Sequence, residues 1–168
     1  GAIARGGRRG RAADAYQANA ASRFTIPVSV IVPVDGGDAP LSQSIAALLD
    51  LNYPELEVVV VAESLADDTL NALKADWSLE PKELFYRRTL HTAAVQRIFS
   101  SDRDPRLVVI EKSSAGRADA LNCGVSFARY RYVVSVRPDV IFDRDALLRV
   151  VSPALRDPGA GVPVAWYL

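Results

Sequence analysis

One cysteine and one histidine are all that the 168 residues contain, and each scarcity closes off a class of chemistry. Cys123 alone excludes an internal disulfide and any cysteine-rich zinc site, and it is compatible with a reducing compartment. His91 falls in an irregular stretch and reads as a surface residue rather than a general base. A charge excess is missing too: 20 basic and 20 acidic residues cancel, which leaves no overall field to recruit nucleic acid or an anionic membrane. No apolar run approaches the roughly 20 residues that a membrane helix needs, and no segment resembles a signal peptide. The expected setting is therefore cytoplasmic, extending to the inner face of a membrane if a missing part or a partner makes the contact. Phosphate-binding glycine loops are absent as well. The first strand runs into "PVDGGDAP", which is neither G-x-G-x-x-G nor a Walker loop, and no Gly-x-Ser-x-Gly elbow occurs.

What is present is a regular alternation. Residues 1–27 stand apart as a flexible basic arm, rich in Gly, Ala and Arg. Its "RGGRRGR" reads as a solvated tail, with phosphate or headgroup contact as the competing reading. From Val28 onward, β-branched runs alternate with amphipathic stretches. Strands are expected at Val28–Pro33, Glu57–Ala62, Leu107–Glu111 and Tyr132–Val136. Helices are expected around "APLSQSIAALLDL", capped by Asp38; around "SLADDTLNALKADW", with Ser64 and Asp67 spaced as a capping box; around "GRADALNCGVSFARY", with Leu121, Val125 and Ala128 inward; and around "DRDALLRVVSPAL", capped by Asp143. A short helix is expected at Thr89–Phe99 within a long connection, and "GVPVAW" reads as one further strand. Strands apolar on both faces, alternating with helices, predict an α/β fold with a mostly parallel, Rossmann-like sheet covered on both faces.

In such a sheet, ligands bind beyond the carboxyl ends of the strands. Those ends deliver Asp35, Glu63, Lys112, Arg137 and Asp139 to one edge, and Asp35, Glu63, Arg117 and Asp139 are expected to line one cleft. The edge suits a nucleoside diphosphate. Glu63 can accept from a base or ribose, "SSAGRADALN" offers helix amides and Arg117 to an anion, and Asp139 can hold a divalent cation. The competing reading makes Glu63 and Arg117 surface charges and Asp139 a turn residue.

Several stretches, taken in order, resemble family 2 glycosyltransferases of the type A nucleotide-sugar-binding fold. They are "VSVIVPV", "LLDLNYPELEVVVVAESLADDT", "GRADALNCGVSFARYRYVVSV" and "RPDVIFDRDALLRVVSPALRDPGAGV". The resemblance covers roughly residues 28–165. It implies a nucleotide-sugar site built from Val34, Asp35, Glu63, Arg117, Asn122, Arg137 and Asp139. In it Glu63 takes the nucleoside-contacting acidic position, Asp67 the later Asp of that segment, Arg117 the basic residue near the diphosphate, Asn122 a bracing role, and Asp139 the second Asp of an Asp-x-Asp metal motif.

The departures from the family pattern matter equally. Arg137 stands where the first Asp of that motif belongs, and Gly36-Gly37 replace an Asn-Glu pair. Arg137 removes an anionic ligand and adds a fixed cation, so a site for Mn2+ or Mg2+ on Asp139 is expected to be weak, or else Arg137 neutralises the diphosphate itself. The resemblance also implies that the domain over 28–168 is incomplete at its C-terminus, because the family's acceptor half and its base carboxylate would follow. Two functions remain open: the donor-binding portion of a glycosyltransferase acting on an unknown acceptor, inactive by itself, or a non-catalytic module used for protein interaction or regulation.

Overall fold

The computed structural model describes residues 26–36, 40–83, 86 and 90–156, the side chains of 153–156 excepted. Most of the basic arm, the Asp38 cap and the "GVPVAW" strand lie outside the described residues. The remainder falls into two compact units.

The larger unit, residues 27–49 and 56–141, carries a six-stranded sheet. Its strands are β1 (Val28–Val34), β2 (Leu56–Glu63), β3 (Leu79–Pro81), β4 (Val95–Ser101), β5 (Leu107–Lys112) and β6 (Tyr132–Ser135), in the spatial order β3-β4-β5-β2-β1-β6. β6, β1, β2 and β5 run parallel, while β4 and β3 add an antiparallel edge. Every residue of β1 and β2 is buried, as expected of central strands covered on both faces.

Three helices belong to this unit: α1 (Leu41–Leu49), α2 (Asp67–Trp77) and α3 (Arg117–Phe127). Ile31, Val59, Val61 and Ile110 form one face of the sheet and pack with Ala120 and Cys123 of α3. Side chains alternate across a strand, so Val30, Val32, Val58, Val60 and Val109 point the other way, and they too are buried. α1 and α2 cover that second face, α2 toward its antiparallel edge, with the Lys74 ammonium 5.0 Å from the centre of the Phe99 ring. Trp77 donates its indole N–H to Ser42 and so ties α2 to α1.

The chain moves outward from β1 through β2 to β5, then returns to place β6 on the other side of β1. The strand order therefore reverses at the β1–β6 junction, and the carboxyl end of that junction is where open α/β sheets bind ligands.

Several expectations need correction. The stretch read as a helix at Thr89–Phe99 overlaps β4 from Val95 onward; Val95, Ile98 and Phe99 have helical spacing because of a bulge between Val95 and Arg97. The extra residue breaks the period of two that would mark a strand. Ser64 and Asp67 form no capping box. Ala66 is the N-cap of α2 without a side-chain cap, and Ser64 lies in the left-handed region at φ 55°. On α3, Leu121 packs against the core, but Val125 is exposed. The buried face is the small one, Ala120, Cys123 and Gly124, because only small residues let the helix approach Ile31 closely. A Cβ on Gly124 would lie 2.4 Å from Ile31 Cγ2. Among the described residues β6, read as a buried strand, is the sheet's second edge, with Tyr132 and Ser135 exposed.

The smaller unit includes Ile26 and residues 50–55 and 142–156. Its helix α4 (Ala146–Arg156) starts where Asp143 Oδ1 accepts the Asp145 amide, 3.0 Å away. Asn52 donates to the Arg144 carbonyl and to Asp145, and Arg144 pairs with Asp50.

Candidate functional site

β2 carries two buried carboxylates, Glu57 and Glu63, at its two ends. Six residues apart on one strand, they share a face of the sheet, separated by about 20 Å. α3, eleven residues long and therefore about 16 Å, fits between them. Glu57 accepts the Arg129 amide just past the end of α3 and the Ser29 hydroxyl. Glu63 accepts the amides of Ala115 and Gly116 just before α3 begins, at 3.2 and 3.0 Å. The strand thus holds the helix at both ends.

The Glu63 end also contains a buried cation. The Lys112 side chain is 0% exposed; its ammonium lies 2.6 Å from Glu63 Oε1, 2.5 Å from Asp119 Oδ1 and 2.7 Å from the Ser113 carbonyl. Asp119, in the first turn of α3, also receives the Ala93 amide. One ammonium therefore joins the end of β2 to the start of α3, and Asp119 extends the link to the segment leading into β4. Burial would raise the Glu63 pKa, but the Lys112 ammonium and the two amides outweigh it and hold the carboxyl below its ordinary value. The Lys112 ammonium likewise holds Asp119 below its ordinary value. Burial would lower Lys112, but Asp119 and Glu63 keep it above its ordinary value. Cys123, on the buried face of α3, is pushed by burial up to about 11.

At the carboxyl edge, Pro33, Val34, Asp35, Glu63, Arg117 and Ala120 line a pocket. Its rim is turned sharply. Gly36 has φ +61°, and a Cβ there would come within 3.1 Å of the Ser64 carbonyl oxygen, so glycine suits both the left-handed backbone and the close approach of the two strand ends. Val34, Asp35, Glu63 and Arg117, four of the residues expected at the site, are therefore brought together. Asn122 is half-buried on α3, where its carbonyl accepts the Ser126 hydroxyl. Asp67 is exposed at the start of α2.

Arg137 and Asp139 are not among the residues lining that pocket. They form an exposed bidentate pair, Nε to Oδ1 at 2.9 Å and Nη2 to Oδ2 at 2.6 Å. The turn that carries them is anchored at two points: Val136 donates to the Ile31 carbonyl, and the Ser44 hydroxyl donates to the Pro138 carbonyl. Arg117 and the Arg137 guanidinium both act on Asp139, Arg137 more strongly, and hold its carboxyl below the ordinary value. Asp119 is the residue that sequence reasoning missed, and Lys112, expected at the edge, was given no partner. The available signal was a lysine ending an otherwise buried strand, which requires a buried partner; the identity of that partner depends on the fold.

The sheet order, the two covered faces and the pocket at the strand ends define a Rossmann-like α/β domain. Residues 4–83 match the model of Glycosyl transferase family 21, and residues 88–168 match that of Glycosyl transferase family 2. Taken together, the two matches support a family 2 glycosyltransferase. It is 25% identical over 121 residues to the poly-beta-1,6-N-acetyl-D-glucosamine synthase of Staphylococcus epidermidis, an alignment covering 72% of this chain and 24% of that protein. A mannosyltransferase from Pyrobaculum calidifontis, solved in complex with GDP-Man and Mn2+, superposes with a TM-score of 0.61 at 24% identity, over 91% of this chain and 42% of that one. S. aureus TarS 1–349 superposes with a TM-score of 0.53 at 19% identity, over 83% and 39% of the two chains. These structures establish the type A glycosyltransferase fold. The chain spans about a quarter of the curated relative's length.

A divalent cation of the kind that the mannosyltransferase holds finds few ligands among the residues present. Among the described residues no group of three or more His, Cys, Asp or Glu could hold a metal ion. Both Asp139 oxygens are taken by Arg137, and both Glu63 oxygens by Lys112, Ala115, Gly116 and Ser114. No described helix is long and apolar enough to cross a membrane.

Proposed function

We propose that the chain is the donor-binding portion of a glycosyltransferase, which binds a nucleoside-diphosphate sugar for transfer to an acceptor hydroxyl. The observation that carries this reading is the pocket of Val34, Asp35, Glu63 and Arg117 at the carboxyl edge of the sheet. Val34 and Asp35 face the nucleoside. Glu63 supports it from below and fixes the loop that presents Arg117 to the diphosphate, and Asn122 braces α3. Arg137 and Asp139 border the diphosphate on the β6 side. In the transfer, the acceptor oxygen bonds to the anomeric carbon as that carbon's bond to the diphosphate breaks. The electron pair leaves on the nucleoside diphosphate, and the hydroxyl proton passes to a general base. Cationic side chains stabilise the departing charge.

GDP-Man in the mannosyltransferase neighbour and the polymer made by the curated relative support this substrate class. Mn2+ or Mg2+ is compatible with the reading, but Arg137 weakens the expected carboxylate ligand, Asp139. We place the work in the cytoplasm, which suits a single free thiol, with any membrane contact made through another part of the protein or a partner. A non-catalytic module is not favoured, because the ligand edge retains both its pocket and Arg117.

The test is a thermal-shift screen of uridine- and guanosine-diphosphate sugars, followed by calorimetry. At least one should stabilise the chain, and Arg117→Ala should abolish the shift. A screen in which no nucleotide sugar binds would defeat the reading.

A further inference from the structure

At the edge of β6, the protein supplies a cation where a metal ion would otherwise sit, and resting on the donor reading above, we propose that Arg137, fixed by Asp139 and acting with Arg117, binds the donor's diphosphate without a divalent cation. The first support is position. β1 and β6 are in parallel register up to Ile31 and Ser135, and Val136 donates to the Ile31 carbonyl, so the chain delivers Arg137 to the carboxyl end of β1, whose last residues, Pro33 and Val34, line the pocket. That is the junction where the strand order reverses. The second support is the geometry of the pair. A guanidinium carries five N–H donors in a fixed plane. Asp139 engages two of them, and five less two leaves three for a ligand. A diphosphate can therefore bind without displacing Asp139, whose role becomes that of a positioning residue that sets the plane of the fork. Planar bidentate recognition of phosphate is the task arginine performs better than lysine.

The third support concerns the carboxylates. A metal site needs several anionic oxygens together; here Glu63 is neutralised by Lys112 and Asp139 by Arg137, Asp35 is the remaining carboxylate lining the pocket, and among the described residues no group of three or more His, Cys, Asp or Glu could hold a metal ion. The turn is also stiff. Pro138 fixes its own φ, and the hydrogen bonds from Val136 and Ser44 hold the turn to β1 and α1. The Arg137 side chain is 65% exposed, so it is open to a ligand and can be replaced without disturbing the core.

The experiment is calorimetric titration of the chain with UDP, UMP, GDP and GMP, first in EDTA and then with MnCl2, for the native sequence and for Arg137→Ala. Expected in EDTA is binding of a diphosphate more tightly than its monophosphate. Arg137→Ala should reduce that preference about tenfold or more, as for loss of a charge-assisted hydrogen bond, with an unchanged melting temperature. Added Mn2+ should change the native affinity less than about twofold. Diphosphate binding that requires Mn2+ would overturn the proposal and leave the donor reading intact, as would a preference unaffected by Arg137→Ala. Failure of every nucleotide in both buffers would overturn the donor reading as well.

Discussion

Lys112 and Arg137 both meet carboxylates at the carboxyl edge of the sheet, yet the Lys112 side chain is 0% exposed and that of Arg137 is 65% exposed. Burial separates their roles. Away from water, Lys112 cannot lose a partner without stranding a charge, so it binds three segments of chain into one arrangement. In water, the Arg137–Asp139 pair is screened and contributes little to stability, which leaves its unused donors available to a ligand. A cation paired with carboxylate is a structural clamp at one position and, on the proposal above, a recognition group at the other.

The most severe way to break this comparison is Lys112→Met. Glu63 and Asp119 would remain without their cation, and the expected loss is about 3–5 kcal/mol in urea unfolding, a large share of a domain's usual stability. Combining it with Glu63→Gln should recover part of the loss, because fewer groups are left unmatched. A fully stable Lys112→Met would mean that the clamp does not hold the loops. Protons attack the same cluster. Glu63 and Asp119 have pKa values below their ordinary ones in the folded chain, so the stability they contribute is present above the ordinary carboxylate values and is lost as pH falls through the folded ones. Unfolding midpoints should stay level near neutrality and decline below about pH 4, and Lys112→Met should remove most of that decline.

A smaller effect tests the seat on which the clamp rests. Gly124→Ala adds a Cβ 2.4 Å from Ile31 Cγ2, an overpacking expected to cost about 1–3 kcal/mol despite the better helix propensity of alanine. An unchanged urea midpoint would show that α3 can move away from β1 freely. The smallest effect belongs to the exposed pair. Arg137→Ala should leave the melting temperature unchanged, and a clear drop would make Arg137 a second clamp rather than a ligand group.

The parallel half of the fold was legible because Val28–Val34 and Leu56–Glu63 are apolar on both faces, a pattern few other elements tolerate. The antiparallel edge was not, since the bulge at Val95–Arg97 shifts the alternation and leaves Val95, Ile98 and Phe99 spaced as on a helix. The face of α3 was misjudged for a related reason: large residues were expected to point inward, whereas close packing on Ile31 selected Ala120, Cys123 and Gly124. Asp35, Glu63 and Arg117 could be placed from strand ends and motif order. The pairing of Lys112 with Asp119 could not, because a helix N-terminus and a strand end meet there only after the chain has folded.

The solitary thiol lends itself to a different use. Cys123 is 0% exposed on the inner face of α3, and with a pKa of about 11 only about one molecule in ten thousand carries the reactive thiolate at neutral pH. A disulfide reagent therefore reacts with the native fold only when α3 lifts from β1, so the labelling rate acts as a built-in clock for that opening. No dye, tag or substitution is required to read it, and a ligand that steadies the Arg117 end of the helix should slow the clock.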